Sequence, residues 1–96
     1  MRESKVESAI VKWAGENDIM TIKLSGPNNR GIPDRLFLKD GVAAFLEMKA
    51  PMKKPTALQA KRLKELNALG FHATWCDGVE GGCSWLRQVL LEEFEI

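Results

Sequence analysis

The chain has 96 residues, of which 45% are hydrophobic and 28% are charged, and its formal net charge is +1. Length and composition are typical of a soluble globular protein, so we predict a single domain over residues 1–96. No membrane span is expected because no apolar run approaches ~18 residues, and no secretory signal is expected because the N-terminus lacks an apolar core. Two cysteines and one histidine are too few for a zinc site, which takes about four such ligands. We therefore expect a cytoplasmic protein.

Seven secondary-structure elements are predicted, in the order α-β-β-β-α-β-α. Apolar periodicity and turn signals place them at residues 3–15, 19–24, 34–39, 42–49, 56–69, 71–76 and from 79 onward. Thr56 is expected to cap the second helix and Gly70 to end it. This order is typical of an α/β fold with one mixed β-sheet flanked by helices. The third and fourth strands should be parallel, because a helix connects them.

The hairpin between the second and third strands carries the most informative residues. Asp40-Gly41 is a strong signal for a two-residue type I′ turn, which fixes how the two strands pair. In that register Asp34 lies opposite Glu47 in a closely approached pair, with Cα atoms roughly 4.5 Å apart. Lys49 lies two residues beyond Glu47 and so shares its face of the sheet.

Two opposed carboxylates repel each other unless a positive charge lies between them. Lys49 could supply that charge alone, as a structural ion pair. A divalent cation, Mg²⁺ or Mn²⁺, is the alternative, because it binds hard oxygen ligands and keeps waters that substrate phosphates can replace. The backbone carbonyl of Met48 would be a further ligand, and Lys49 would then be free to orient or activate a water.

The neutral total charge hides a basic middle region. Residues 21–64 hold ten Lys and Arg against three Asp and Glu. Such a surface suits a polyanion, although a solvated basic helix face would give the same pattern. The candidate phosphate contacts are Lys23, Ser25, Arg30, Lys53, Lys54 and Lys61. The three tryptophans, Trp13, Trp75 and Trp85, are expected in the core.

"GIPD" followed by "FLEMKAP" and then Gln59 resembles the VRR-NUC family of the PD-(D/E)xK nuclease superfamily. The resemblance runs from Glu3 to about residue 80 and implies a restriction-endonuclease-like core. It implies that Asp34, Glu47 and the Met48 carbonyl hold Mg²⁺ or Mn²⁺. It also implies that Lys49 is the catalytic lysine.

A glutamate of the first helix usually completes such a site in this superfamily. Glu7 is preferred over Glu3, because it lies beside the apolar stripe of that helix. Gln59 matches a glutamine of the family's second helix, which would hold the site or contact a phosphate.

The resemblance implies a DNA endonuclease of a bacterial cell or a phage-infected host. Cutting both strands needs two sites, so we expect a homodimer that favours branched DNA such as four-way junctions. The apolar face of the last helix, with Phe94, is the expected dimer surface. Three alternatives remain: a non-specific duplex or flap nuclease, a non-catalytic DNA-binding module with the same fold, and a structural or adaptor protein.

Overall fold

The described part of the chain folds into four strands and three helices in the predicted order. The computed structural model describes residues 1–24, 26 and 28–92. The elements are α1 (Glu3–Glu16), β1 (Met20–Lys23), β2 (Arg35–Lys39), β3 (Val42–Met48), α2 (Ala57–Ala68), β4 (His72–Cys76) and α3 (Val79–Leu90). The predicted α/β fold class is confirmed. Within the described ranges, no helix is long and apolar enough to cross a membrane.

The four strands form one mixed sheet in the order β1-β2-β3-β4. β1 and β2 are antiparallel, as are β2 and β3, whereas β3 and β4 are parallel as predicted. The side-chain amide of Asn67 donates to the carbonyl of Ala73 in the edge strand β4 and accepts from its N–H, at 2.8 and 3.2 Å. An edge strand with its backbone groups occupied in this way is protected against adding another strand.

The β2–β3 hairpin has the predicted turn and register. Asp40 and Gly41 both have positive φ, 49° and 80°, as a type I′ turn requires. Lys39 pairs with Val42, and the pairing continues without a slip to Arg35 and Leu46. One further step along the same register brings Asp34 opposite Glu47.

The two faces of the sheet are covered unequally. α1 and α3 pack on one face around buried residues that include Ile10, Phe37, Leu46 and Leu86. Gly82 lets these helices approach, because an added Cβ would lie 2.6 Å from the Ile10 side chain. α2 lies on the other face, mainly against β4, and Leu63 is its one buried residue.

Two expectations about apolar residues are wrong. The apolar face of α3 closes the core through Leu86 and Leu90 and is not available to a second copy. Phe94, the other part of that expected surface, lies outside the described residues. Trp13 and Trp85 pack against the core, but Trp75 is 36% exposed, because strand alternation turns it to the partly covered α2 face.

Candidate functional site

Asp34 is held at the start of β2 by a loop that packs against α2. Gly31 in that loop has φ +77°, and an added Cβ would lie 2.7 Å from Leu58, so the position requires glycine. The N–H of Leu24 donates to the carbonyl of Asp34 at 2.9 Å. The Oδ2 atom of Asp34 accepts the N–H of Met48 at 2.9 Å, which fixes the carboxylate against β3.

Glu47 is buried beside Asp34, with 2% of its surface exposed. Its Oε2 accepts from the Gln59 amide at 3.2 Å and lies 3.5 Å from the Lys49 ammonium. Its Oε1 is buried and has no hydrogen-bond partner among the described residues. Burial and the neighbouring Asp34 charge raise the pKa of Glu47 to about 7, although the Lys49 charge opposes them. The carboxylate therefore lacks positive charge on its Oε1 side.

Gln59 connects this carboxylate to the first turn of α2. Thr56 and Gln59 form a capping box, in which the Thr56 hydroxyl accepts the Gln59 N–H and the Gln59 Oε1 accepts the Thr56 N–H. Because Oε1 is bound to a backbone N–H, the amide nitrogen must point toward Glu47. The prediction that Gln59 lies at the site agrees with this placement.

Lys49 lies on the same side of the sheet as the acid pair. Its N–H donates to the carbonyl of Cys76 at 2.9 Å, which extends the β3–β4 ladder by one residue. Its side chain is 14% exposed. The structure thus brings together Asp34, Glu47, Lys49 and Gln59.

Glu7 is not part of this group in the structure. Its carboxylate lies 2.7 Å from both the Lys23 ammonium and the Arg35 guanidinium, on the α1 side of the sheet. Burial alone would raise the pKa of Glu7, but hydrogen bonds and charge from these two cations lower it below its usual value. Glu3 is exposed at the start of α1. Among the described residues, no three carboxylate, His or Cys groups assemble into a metal cluster, so Glu7 as a third ligand stays a prediction.

The predicted phosphate contacts divide into two groups. Arg30, Lys53, Lys54 and Lys61 are exposed. Lys23 is already paired with Glu7, and Ser25 lies outside the described residues.

The sequence did not indicate the positions of two residues, Arg35 and Trp75. Arg35 follows Asp34 directly, so the two side chains point to opposite faces of the sheet. This alternation places Arg35 on the α1 side and could have indicated a partner on α1. Trp75 pairs with Glu47 in the β3–β4 register and borders the site from β4.

Buried thiols take no part in this chemistry. Cys76 and Cys83 are free and buried. Burial raises the pKa of Cys76 to about 11, so it stays a neutral thiol near neutral pH.

Known proteins resemble the chain both in sequence and in structure. No protein-family model matches the chain. The chain is 38% identical over 71 residues to "Putative nuclease p44" of Acyrthosiphon pisum secondary endosymbiont phage 1, covering 73% of this chain and 76% of that protein. A solved "VRR_NUC domain protein" superposes with a TM-score of 0.78 at 18% identity over 93% of this chain and 88% of the other. A solved "VRR_NUC domain" has a TM-score of 0.78 at 22% identity over 97% of both chains.

The residues that carried the resemblance are the ones that the structure gathers at the open end of the hairpin. The shared fold extends over nearly the whole chain, and the sequence relative covers most of it. On these grounds the chain belongs to the VRR-NUC family.

Proposed function

We propose that the chain is a divalent-metal-dependent nuclease that hydrolyses phosphodiester bonds of DNA. The observation that carries this proposal is Glu47 Oε1, a buried carboxylate oxygen without a hydrogen-bond partner in the described chain, beside a second carboxylate. Burying such an atom is costly unless something binds it. The printed name of the phage relative, a nuclease, supports the same reaction class.

The donor set fits Mg²⁺ or Mn²⁺. Asp34 and Glu47 supply two hard oxygen ligands, and the Met48 carbonyl lies in the chain between Glu47 and Lys49. Mg²⁺ is commonly held by one or two carboxylates with waters and substrate phosphates in its other positions, so a third carboxylate is not required. A cation bound there would polarise a phosphoryl oxygen and lower the pKa of a bound water.

The protein side chains have separate tasks in this mechanism. Lys49 holds the attacking water and offsets the charge that develops on the phosphoryl group. Gln59 holds Oε2 of Glu47, so Oε1 would be available to a bound cation. Glu7 could join the ligands only by leaving Lys23 and Arg35, so in the described arrangement it anchors α1 to β1 and β2 instead.

The substrate is expected to be held by its backbone. Arg30, Lys53, Lys54 and Lys61 are exposed cations that suit phosphates, which carry little sequence information. We propose that the enzyme acts as a homodimer in the cytoplasm and favours branched DNA such as four-way junctions, because cutting both strands needs two sites. A non-specific duplex or flap nuclease and a non-catalytic DNA-binding module are the alternatives.

The test is cleavage of end-labelled linear duplex, flap and four-way-junction DNA in Mg²⁺, Mn²⁺ or EDTA. The wild type should cut only with metal, and should cut the junction fastest. Asp34→Asn should not cut, whereas the matched control Asp40→Asn, an exposed turn residue, should cut like the wild type. Equal cutting by wild type and Asp34→Asn, or cutting in EDTA, would refute the metal-dependent enzyme. DNA binding without any cutting would favour the non-catalytic module.

A further inference from the structure

Trp75 differs from the other two tryptophans in its exposure. Trp13 and Trp85 pack against the core, whereas Trp75 is 36% exposed. Single exposed apolar residues are common on protein surfaces and indicate nothing by themselves. The meaning of Trp75 therefore depends on where its ring lies and on what surrounds it.

The β3–β4 register places Trp75 beside the acid pair. Trp75 pairs with Glu47, so the two residues lie on neighbouring strands about 4.8 Å apart, and their side chains share one face of the sheet. The Lys49 N–H donates to the Cys76 carbonyl at 2.9 Å, which keeps β3 and β4 paired beyond Trp75. The indole is therefore held by a firmly paired part of the sheet, next to the carboxylates of the candidate site.

The packing of α2 leaves this ring accessible. α2 lies over the middle of β4, where the Asn67 amide binds the backbone of Ala73, and Ala73 is only 7% exposed. Trp75, two residues further along the strand, is only partly covered. β4 is an edge strand of the described sheet, so no further strand lies beside it there. A flat group can therefore approach the ring from outside.

Two exposed lysines lie near the same end of β4. The loop that carries Lys53 and Lys54 is tied to this end, because the Met52 N–H donates to Asp77 Oδ2 at 3.4 Å. Proteins bind nucleotides of a single strand with an aromatic ring among cations, since the cations contact phosphates and the ring stacks on a base. A protein partner does not fit, because one ring bordered by lysines offers far less area than a protein interface needs.

We propose that Trp75 stacks on the base of a nucleotide next to the scissile phosphate and thereby selects DNA in which that base is unpaired. This inference rests on the proposed nuclease activity and adds the feature of the DNA that the site recognises. Inside a continuous duplex both faces of a base are covered by its neighbours. At a flap or a branch point an unpaired base can leave the stack, and its face becomes free. Because every base has such a face, the selection is for structure and not for sequence.

Binding of a fluorescent base analogue tests the contact without cleavage. A series of flap DNAs carries 2-aminopurine at successive unpaired positions from the branch point, and a control DNA carries it inside a continuous duplex. In Ca²⁺ the wild type should quench the analogue at one of the unpaired positions, because stacking on an indole quenches its fluorescence. The paired analogue should change little. If the wild type quenched none of the unpaired analogues, the proposal would be wrong, whatever the variants do.

Substitutions then assign the quenching to Trp75. Trp75→Leu should bind the flap about 10-fold more weakly than the wild type and should quench little, because leucine cannot stack. Trp75→Phe should recover most of the flap affinity. Phe71→Leu is the matched control, because Phe71 is an exposed aromatic residue on the same face just before β4, and it should behave like the wild type. Unchanged flap affinity and quenching in Trp75→Leu would overturn the proposal.

A purely structural role for Trp75, as a shield for the β4 edge, predicts a different result. Its replacement would then lower the urea midpoint and weaken the binding of flap and duplex DNA by the same factor. In the proposed role, the ratio of flap affinity to duplex affinity falls about 10-fold in Trp75→Leu. An unchanged ratio would exclude the stacking role.

The outcome is separable from that of the cleavage test. A chain that binds flap DNA through Trp75 but cuts no DNA would refute only the proposed function. A chain that cuts DNA in Mg²⁺, with the same preference for flap over duplex in Trp75→Leu and wild type, would refute only the stacking role. A chain that binds none of these DNAs would refute both.

Discussion

Glu7 and Glu47 lie on opposite sides of the same sheet, and their surroundings differ in which charge is in excess. Glu7 is one carboxylate between two cations, Lys23 and Arg35, and its pKa is lowered. Glu47 has one nearby ammonium, that of Lys49, but also a second carboxylate, that of Asp34, and its pKa is raised to about 7. At the first site the cations outnumber the carboxylate, whereas at the second two carboxylates outnumber the one ammonium.

This difference shows why a count of acidic residues does not locate a metal site. A carboxylate that already has cationic hydrogen-bond partners gains little from a metal ion. A buried carboxylate with an unpaired oxygen gains a great deal. Glu7 and Glu47 therefore have different predicted responses to metal, pH and substitution.

Replacement of Lys49 should have the largest effect. Lys49→Met should slow cleavage in saturating Mg²⁺ by at least ~10²-fold, because the water loses its positioning group and the transition state loses a charge. DNA affinity in Ca²⁺, measured by anisotropy, should change only slightly. Lys12→Met, at an exposed position on α1, is the control and should cut like the wild type. Cleavage by Lys49→Met at the wild-type rate would remove Lys49 from the mechanism.

Replacement of Glu47 should stabilise the metal-free protein while it abolishes cleavage. Glu47→Gln removes a buried, poorly paired charge, and at pH 8 we expect a gain of about 2 kcal/mol in the free energy of urea unfolding. Mg²⁺ should stabilise the wild type but not the variant. Glu65→Gln, an exposed position, should change stability little. If Glu47→Gln were less stable than the wild type, the excess of negative charge at Glu47 would not be what destabilises the metal-free protein.

The pH dependence of stability follows from the same carboxylate. The Glu47 side chain titrates near pH 4.5 when unfolded and near 7 when folded, so between these values the folded state holds more protons. Stability of the metal-free protein should therefore fall as pH rises through this window and level off above it. Denaturation midpoints from pH 4.5 to 8 would show this decline, and Glu47→Gln should lack it.

Replacement of Glu7 should have the smallest effect on cleavage. Glu7→Gln leaves Lys23 and Arg35 without their anion, and we expect a loss of about 1 kcal/mol in the free energy of unfolding. Cleavage in saturating Mg²⁺ should stay within ~10-fold of the wild type, because the acid pair is intact. A much larger loss of cleavage rate, together with a higher Mg²⁺ concentration needed for cleavage, would instead show that Glu7 is a metal ligand. Glu7 and Glu47 would then not differ in the way described.

The hairpin and the capping box were predictable because their signals are local. Asp40-Gly41 fixes the turn, and the turn fixes every later pair up to Asp34 and Glu47. Thr56 followed by Gln59 has the spacing of a capping box, so Gln59 could be assigned to the first turn of α2.

The surroundings of Glu7 and the exposure of Met20 and Ile22 were not predictable, because they depend on how separate elements pack. Helical periodicity shows that Glu7 points toward the sheet, but not that Lys23 and Arg35 meet it there. Likewise, an apolar pattern in the sequence does not show which element packs against it. The stripe of α3 faces the core, whereas the alternating residues Met20 and Ile22 are left open because α2 packs mainly on β4.

The capping box of α2 makes the activity of the enzyme depend on the stability of one helical turn. The amide that closes this turn also restrains Oε2 of Glu47. If the turn frays on warming, Glu47 loses its restraint while the sheet is still intact. Heating should therefore inactivate the enzyme a few degrees below the temperature at which it unfolds. Substitutions that stabilise the first turn of α2 should raise the temperature up to which the enzyme works.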